Sequence, residues 1–259
     1  MEKAKEQYFD QGYFVADDAV EPRMLDELQA AAGRVWAKVR SGEVDVAGNG
    51  PDATAIFGLI APEFGEPVFA EYLICEPVLR YVRAFLGDEL RLGHVHLWCA
   101  DSGYDTGWHR DVGKDRDVSR EREMEILTRP MGSIKWQLAL LDDPCLWVVP
   151  GSHKRYRTEA ERQALVVDTR LPISGEVQVE LKSGECIFWN GHLIHRGRQP
   201  RDLPRRLTLT GGLRMYRPDE APEELDGRFA WRLAGNIREA LPEKMQLFYD
   251  RWRVLQKAG

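Results

Sequence analysis

In TGWHRDVG, residues 106–113, a histidine and an aspartate stand one residue apart, His109 and Asp111, between two glycines. A one-residue gap lets both sit on a strand-end turn and bind one metal ion as a near-chelate. The pair by itself carries little weight. With 6 His and 42 acidic residues in 259 positions, chance puts an acid two places after some His about once. Its weight comes from two later segments. FWNGHLIHRGRQP (188–200) runs from a strand into a turn that carries His192 and His195. PRRLTLTGG (204–212) opens a strand with Arg206, and Thr208 follows on the same strand face. Two imidazoles and one carboxylate on one side of an iron(II) ion leave three positions open. A bidentate co-substrate fills two and dioxygen takes the third. Either His192 or His195 can supply the second imidazole.

The elements that must position these groups fall into three parts. Residues 2–11 form a helix that stops at Gly12, followed by a short strand and turn in YFVADDAV. Apolar residues at helical spacing, from Met24 to Val39, predict a helix over 21–41; another covers 76–86, from Pro77 to Gly87. Residues 42–54 are turn-rich and read as an exposed loop. From about residue 90 to 216 short β-rich runs alternate with turns: 90–100, 133–143, 145–150, 176–181, 185–190 and 207–216. That texture predicts a sandwich or barrel rather than a βαβ array. Residues 219–258 return to helical spacing. The expectation is one domain over 1–259, mainly β with flanking helices packed on it from both ends. The charged stretch 112–132 interrupts the strands, as a solvated loop or as a lid beside the site.

Composition narrows the classes. The chain is 43% hydrophobic and 30% charged, with no apolar run long enough for a membrane span and no signal-peptide core at the N-terminus. A cytoplasmic protein with no membrane partner is expected. A net charge of −6 argues against nucleic acid as a partner. Cys75, Cys99, Cys145 and Cys186 lie far apart with no CxxC, which excludes a zinc ribbon or thioredoxin motif; the last three lie in apolar runs and are expected to be buried thiols. The sequence leaves oligomeric state open.

Several segments together resemble the phytanoyl-CoA dioxygenase family of iron(II)/2-oxoglutarate oxygenases. YFDQGYFVADDAV is similar to its N-terminal helix and first strand, and WHRD at 108–111 to its HxD motif. ALLDDPCLWVVPGSHK (139–154) resembles its strand and PGSH turn, with a short insertion before Cys145. GECIFWNGHLIHRGRQP resembles its distal-histidine segment. The likeness covers roughly residues 7–216. It implies a double-stranded β-helix of jelly-roll or cupin type. It implies His109, Asp111 and His195 as iron ligands, and Fe(II), 2-oxoglutarate and O2 as cofactor and co-substrates. It also implies that the arginine eleven residues beyond the distal histidine, Arg206, anchors the far carboxylate of 2-oxoglutarate. A guanidinium fork suits that task. Taking His192 instead would stretch the gap to fourteen. The chain departs from the family at Arg196, where small residues are common, and in the charged segment after HRD.

Other candidates concern the pocket. Thr208 can add a hydroxyl beside Arg206. His94, His96 and Trp98 share one strand face, which either lines a pocket or packs beneath helices. Lys135 and Gln137 face away from Trp136, and one of the two faces looks inward. Gln137 is a candidate hydrogen-bond donor to the co-substrate and Trp136 a candidate flank. Trp189 is either core or a substrate platform. Arg110, with Lys114, Arg116, Arg120 and Arg122, could receive an anionic small molecule or be surface charge. The expected activity is hydroxylation of an unactivated C–H bond in a small-molecule substrate, with succinate and CO2 as co-products. A zinc hydrolase on the same ligands and a non-catalytic cupin-like binding domain are the rivals. The hydrolase gives Arg206 and Thr208 no role, and a binding domain would be favoured by a degraded triad, whereas this one is complete.

Overall fold

The structure is a computed structural model that describes residues 1–101, 103–111, 117–222, 225 and 227–257. Its elements in chain order are α1 (Glu2–Gln11), β1 (Tyr13–Ala16), α2 (Pro22–Ser41), β2 (Ala55–Phe57), α3 (Val68–Leu73), α4 (Glu76–Leu86), β3 (Leu90–Ala100), α5 (Arg120–Leu127), β4 (Ser133–Ala139), β5 (Asp143–Val149), α6 (Glu159–Arg162), β6 (Val177–Leu181), β7 (Cys186–Trp189), β8 (Ile194–Gly197), β9 (Arg206–Met215), α7 (Ile237–Ala240) and α8 (Glu243–Lys257). None of the described helices is long and apolar enough to cross a membrane.

The strands form two antiparallel sheets that do not close on each other. The larger runs β1–β7–β4–β9–β3–β2 and the smaller β6–β5–β8. Val148, Val179 and Leu181 of the smaller sheet meet Ala139, Ile187 and Trp189 of the larger one, forming the jelly-roll interior. The larger sheet's outer face is covered by the helices. α2 buries Leu28, Ala31, Ala32, Val35, Trp36 and Val39, a stripe at helical spacing, in the same cluster as Leu97, Leu138 and Leu209. Cys99, Cys145 and Cys186 are buried free thiols.

Because both faces of the larger sheet are covered, its strands read as continuous buried runs, and the choice of face rests on register. In β3 the register shifts between Leu92 and His94. Leu90 and Leu92 face the helical core before this bulge; Val95, Leu97 and Cys99 face it afterwards. The bulge therefore turns His94, His96 and Trp98 toward the other sheet. Gly93 makes it possible, since a Cβ there would lie 2.1 Å from the Gly212 carbonyl oxygen. Gly212 in turn leaves room for the His94 ring, whose Cε1 would be 2.6 Å from a Cβ at that position.

The N-terminus is tied to the strand ends. The Gly12 carbonyl accepts from the Asn190 amide at 2.9 Å, the Gln11 carbonyl from the Gly151 amide at 2.8 Å, and His153 Nε2 reaches the Phe9 carbonyl at 3.3 Å.

Three expectations need correction. The strand over 133–143 ends at Ala139, and β5 starts at Asp143 after a three-residue connection. The turn bearing His195 is itself a strand, β8. Helical structure over 219–258 is confined, among the described residues, to a short 3-10 turn at Ala230–Leu233, α7 and α8. Of the stretch 112–132, residues 112–116 with Lys114 and Arg116 lie outside the described residues; α5 occupies 120–127.

Gly93→Ala is expected to lower stability by about 3 kcal/mol, since backbone rather than a flexible side chain must move. Urea unfolding measures this, and a loss below about 0.5 kcal/mol would mean that the bulge tolerates a side chain.

Candidate metal centre

The segment 105–111 lies against β8 as a partial fourth strand. His109 and His195 form an isolated antiparallel bridge, with the His109 amide donating to the His195 carbonyl at 2.9 Å and the reverse bond at 3.0 Å. The two rings are thereby held 4.2 Å apart, centroid to centroid. Each ring is oriented from behind by its own chain. His109 Nδ1 lies 2.9 Å from the Gly107 carbonyl and His195 Nδ1 lies 2.8 Å from the Leu193 carbonyl. A carbonyl can only accept, so Nδ1 carries the proton and Nε2 is left as the ligand atom. Asp111 lies two residues beyond His109, its amide donating to the Gly191 carbonyl at 2.8 Å. His109, Asp111 and His195 each bring a ligand atom within 4.8 Å of the others. Two nitrogens and one oxygen converging from one side suit iron(II) with positions left open.

The electrostatics favour binding-ready forms. Burial pushes His195 down to about 4, helped by its neighbour His109, so the imidazole is neutral near pH 7. Burial works to raise the Asp111 carboxyl, but Lys135 and His195 outweigh it and hold it well below the usual carboxylate range. Lys135 Nζ lies 2.6 Å from Asp111 Oδ2.

Arg206 stands at the start of β9, with a side chain 1% exposed. Its Nε and Nη2 donate to Asp143 Oδ2 at 3.2 and 3.1 Å. Thr208 Oγ1 and Gln137 Nε2 donate to the same oxygen at 2.6 and 3.1 Å. The guanidinium lies over the Tyr104 ring at 4.4 Å. Its Nη1 is buried without a hydrogen-bond partner. A buried cationic N–H left open beside a cavity fits a carboxylate ligand. Burial works to raise the Asp143 carboxyl, and Arg206 more than compensates, so it stays ionised.

The metal ligands and Arg206 line one cavity of about 1080 Å³. Gln137, His96, Trp98 and Trp189 line it as well. Trp189 serves both as core and as wall, edge-on to His195 at 6.1 Å. His192 lines the cavity outside the ligand cluster. Three expected contacts lie elsewhere. Trp136 is on the opposite face of β4, buried at 6.0 Å from Phe188 in the helical core. Thr208 is fully buried and turned to Asp143, away from the cavity wall. Arg110 points away from its neighbours His109 and Asp111. It pairs with buried Glu123 and donates to the Ser152 carbonyl at 2.7 Å, tying α5 to the PGSH turn. Arg196 is likewise buried away from the cavity, between the Trp108 and Trp147 rings at 4.3 and 5.4 Å and paired with Glu176 at 3.1 Å. Sequence reasoning missed Asp143, Tyr104, and the wall that Phe57 and Phe229 make with His96. Tyr104 lies beyond the end of β3, where alternation from Trp98 no longer applies, and nothing distinguished Asp143 from Asp142.

Fold and site together define an iron- and 2-oxoglutarate-type oxygenase of the jelly-roll class. The sequence matches the phytanoyl-CoA dioxygenase (PhyH) family over residues 8–205, and the chain belongs to that family of iron- and 2-oxoglutarate-dependent dioxygenases. The match contains the three metal ligands and stops one residue short of Arg206. No curated protein matches the sequence. Solved structures with this fold include EctD from S. alaskensis with 2-oxoglutarate and 5-hydroxyectoine (20% identity, 83% of this chain and 76% of that one, TM-score 0.62). HygX from Streptomyces hygroscopicus with nickel and 2-oxoglutarate shares 19% identity over 84% of this chain and 90% of that one, TM-score 0.61. The alpha-ketoglutarate-dependent epimerase SnoN from nogalamycin biosynthesis shares 17% over 83% of each chain, TM-score 0.59.

Burial pushes the His96 imidazole down to about 3. The unfolded chain takes up this proton below about pH 6.5 while the fold resists it. The stability is therefore complete above that pH and is lost as pH falls toward 3. By pH 5 the loss is about 2 kcal/mol. Unfolding at pH 7 and pH 5, for wild type and His96→Gln, should show a shallower pH dependence in the variant. Equal dependence would mean that His96 takes up its proton within the fold.

Proposed function

We propose that this dioxygenase hydroxylates an unactivated C–H bond of a small-molecule substrate, through His109, Asp111 and His195 as iron ligands and Arg206 as the anchor of 2-oxoglutarate. The observation that carries this reading is the pairing, in one cavity, of three converging ligand atoms with a buried arginine whose Nη1 lacks a partner. A zinc hydrolase gives that arginine nothing to do, and a simple binding domain has no need of the complete ligand set.

When bound, iron and 2-oxoglutarate supply the oxidising chemistry: 2-oxoglutarate goes to succinate and CO2, and one atom of O2 goes to the substrate. The protein's residues set geometry. Gly107 and Leu193 carbonyls fix the two imidazoles. Arg206 holds the far carboxylate of the co-substrate, and Gln137 lies next to it on the cavity wall. The substrate fills the remaining volume against Phe57, His96, Trp189 and Phe229. These side chains form an aromatic wall, and Lys135, Arg214, Arg217, Arg228 and Arg232 add charge elsewhere in the same lining. EctD with 5-hydroxyectoine and SnoN with nogalamycin RO are complexes with small molecules, which agrees with a substrate of that kind. Residues 1–259 act as one catalytic domain in this reading, because Arg217, Arg228 and Phe229, beyond the family match, line the same cavity.

The test is succinate formation from 2-oxoglutarate by the iron(II)-loaded protein under air with ascorbate, beside His195→Ala and Arg206→Ala. Wild type should turn over slowly without substrate, and both variants at least tenfold more slowly still. Compounds that accelerate the signal are then examined by mass spectrometry under 18O2. A product carrying one labelled oxygen supports hydroxylation; an isomer with none would point to epimerisation. Absence of succinate together with absence of iron-dependent 2-oxoglutarate binding would sink the proposal.

A further inference from the structure

The distal end of the co-substrate site contains a buried carboxylate that the reading above does not use. We propose that Asp143 is the positioning residue of the co-substrate anchor: it fixes the rotation of the Arg206 guanidinium so that one edge alone is presented to 2-oxoglutarate. This rests on Arg206 as that anchor.

Two constraints hold the guanidinium. Tyr104, at 4.4 Å, sets the plane in which it lies. Asp143 sets its rotation within that plane, because Oδ2 takes both Nε and Nη2, at 3.2 and 3.1 Å. Nη1 is then left without a hydrogen-bond partner. Asp143 is itself held from several sides. Its Oδ1 accepts from the Cys145 amide at 2.8 Å, and its Oδ2 accepts from Thr208 and Gln137. The three-residue β4–β5 connection delivers it there as the first residue of β5. Thr208 and Gln137 therefore act on the co-substrate through Asp143. A guanidinium free to rotate would meet the distal carboxylate with several edges, none held in advance, and pre-organisation is what a fixed fork contributes to affinity.

The experiment is calorimetric titration of the Ni(II)-loaded full chain with 2-oxoglutarate and with 2-oxobutyrate, which keeps the chelating end and lacks the distal carboxylate. The readout is the ratio of the two dissociation constants. Arg206→Ala should collapse the ratio; a wild-type ratio there would overturn the anchor reading and this proposal with it. Asp143→Ala should reduce the ratio on the order of tenfold by weakening 2-oxoglutarate alone, the size typical of losing a group that orients a ligand-holding residue. If Arg206→Ala collapses the ratio and Asp143→Ala keeps it, or weakens both ligands in parallel, or tightens 2-oxoglutarate, the positioning role is wrong while the anchor stands. Asp143→Glu gives a second decision should the alanine variant not fold. It keeps the charge and pushes the guanidinium along the cavity by one methylene. Preference should then shift from 2-oxoglutarate toward oxaloacetate, one carbon shorter, and an unchanged preference overturns the proposal.

Discussion

Two backbone hydrogen bonds between His109 and His195 decide whether this protein has a metal centre. The ligands come from distant parts of the chain, and the side-chain ion pair at the site, Lys135 with Asp111 at 2.6 Å, holds only one of them. Backbone pairing aligns them instead. Once residue 109 lies opposite 195, strand alternation sends His109 and Asp111 to one side and Arg110 to the other. The Gly107 and Leu193 carbonyls then turn both rings the same way. Even the buried cations behind the centre follow. Arg110 ties α5 to the PGSH turn, and Arg196 fills the space between two tryptophans. Both hold in place the segments that carry the ligands.

The larger sheet solves a different problem. A strand buried on both faces has no solvent side to tell it which residues should point where. Here the answer comes from backbone geometry, with Gly93 absorbing one residue of register and Gly212 giving space to the imidazole that results. Across the register, Phe57, His96, Thr210 and Gln137 fall in one row, and His94, Gly212 and Lys135 in the next. The cavity floor is thus a grid whose polar positions are set by β pairing.

Much of this was legible in the sequence. The helices at 2–11 and 76–86 and the strand at 90–100 carry their own punctuation, and ligand chemistry singles out His109 and Asp111, while His195 rather than His192 comes from the resemblance to the family. What failed was orientation. Alternation alone could have shown that Arg110 faces away from a site that His109 and Asp111 share. For Trp136 against Gln137 it could not, because both faces of β4 are buried and an apolar residue is at home on either. Thr208 was placed on the correct face, but its hydroxyl is engaged by Asp143, whose position depends on a three-residue connection that the strand pattern over 133–143 concealed. The run before α7 resisted reading because its aromatic and charged residues mimic helical spacing, while Arg228, Phe229 and Arg232 line the cavity.

The tie between Gly12 and Asn190 extends the metal centre further than its ligands suggest. Asn190 holds Gly12, the next residue, Gly191, receives the Asp111 amide, and Gly151 and His153 grip the two residues on either side of Asp10. The first dozen residues are therefore a brace behind the iron site. Shortening the chain from that end, or burdening it with a fused partner, is an operation on the geometry of Asp111 and not a cosmetic change to a terminus.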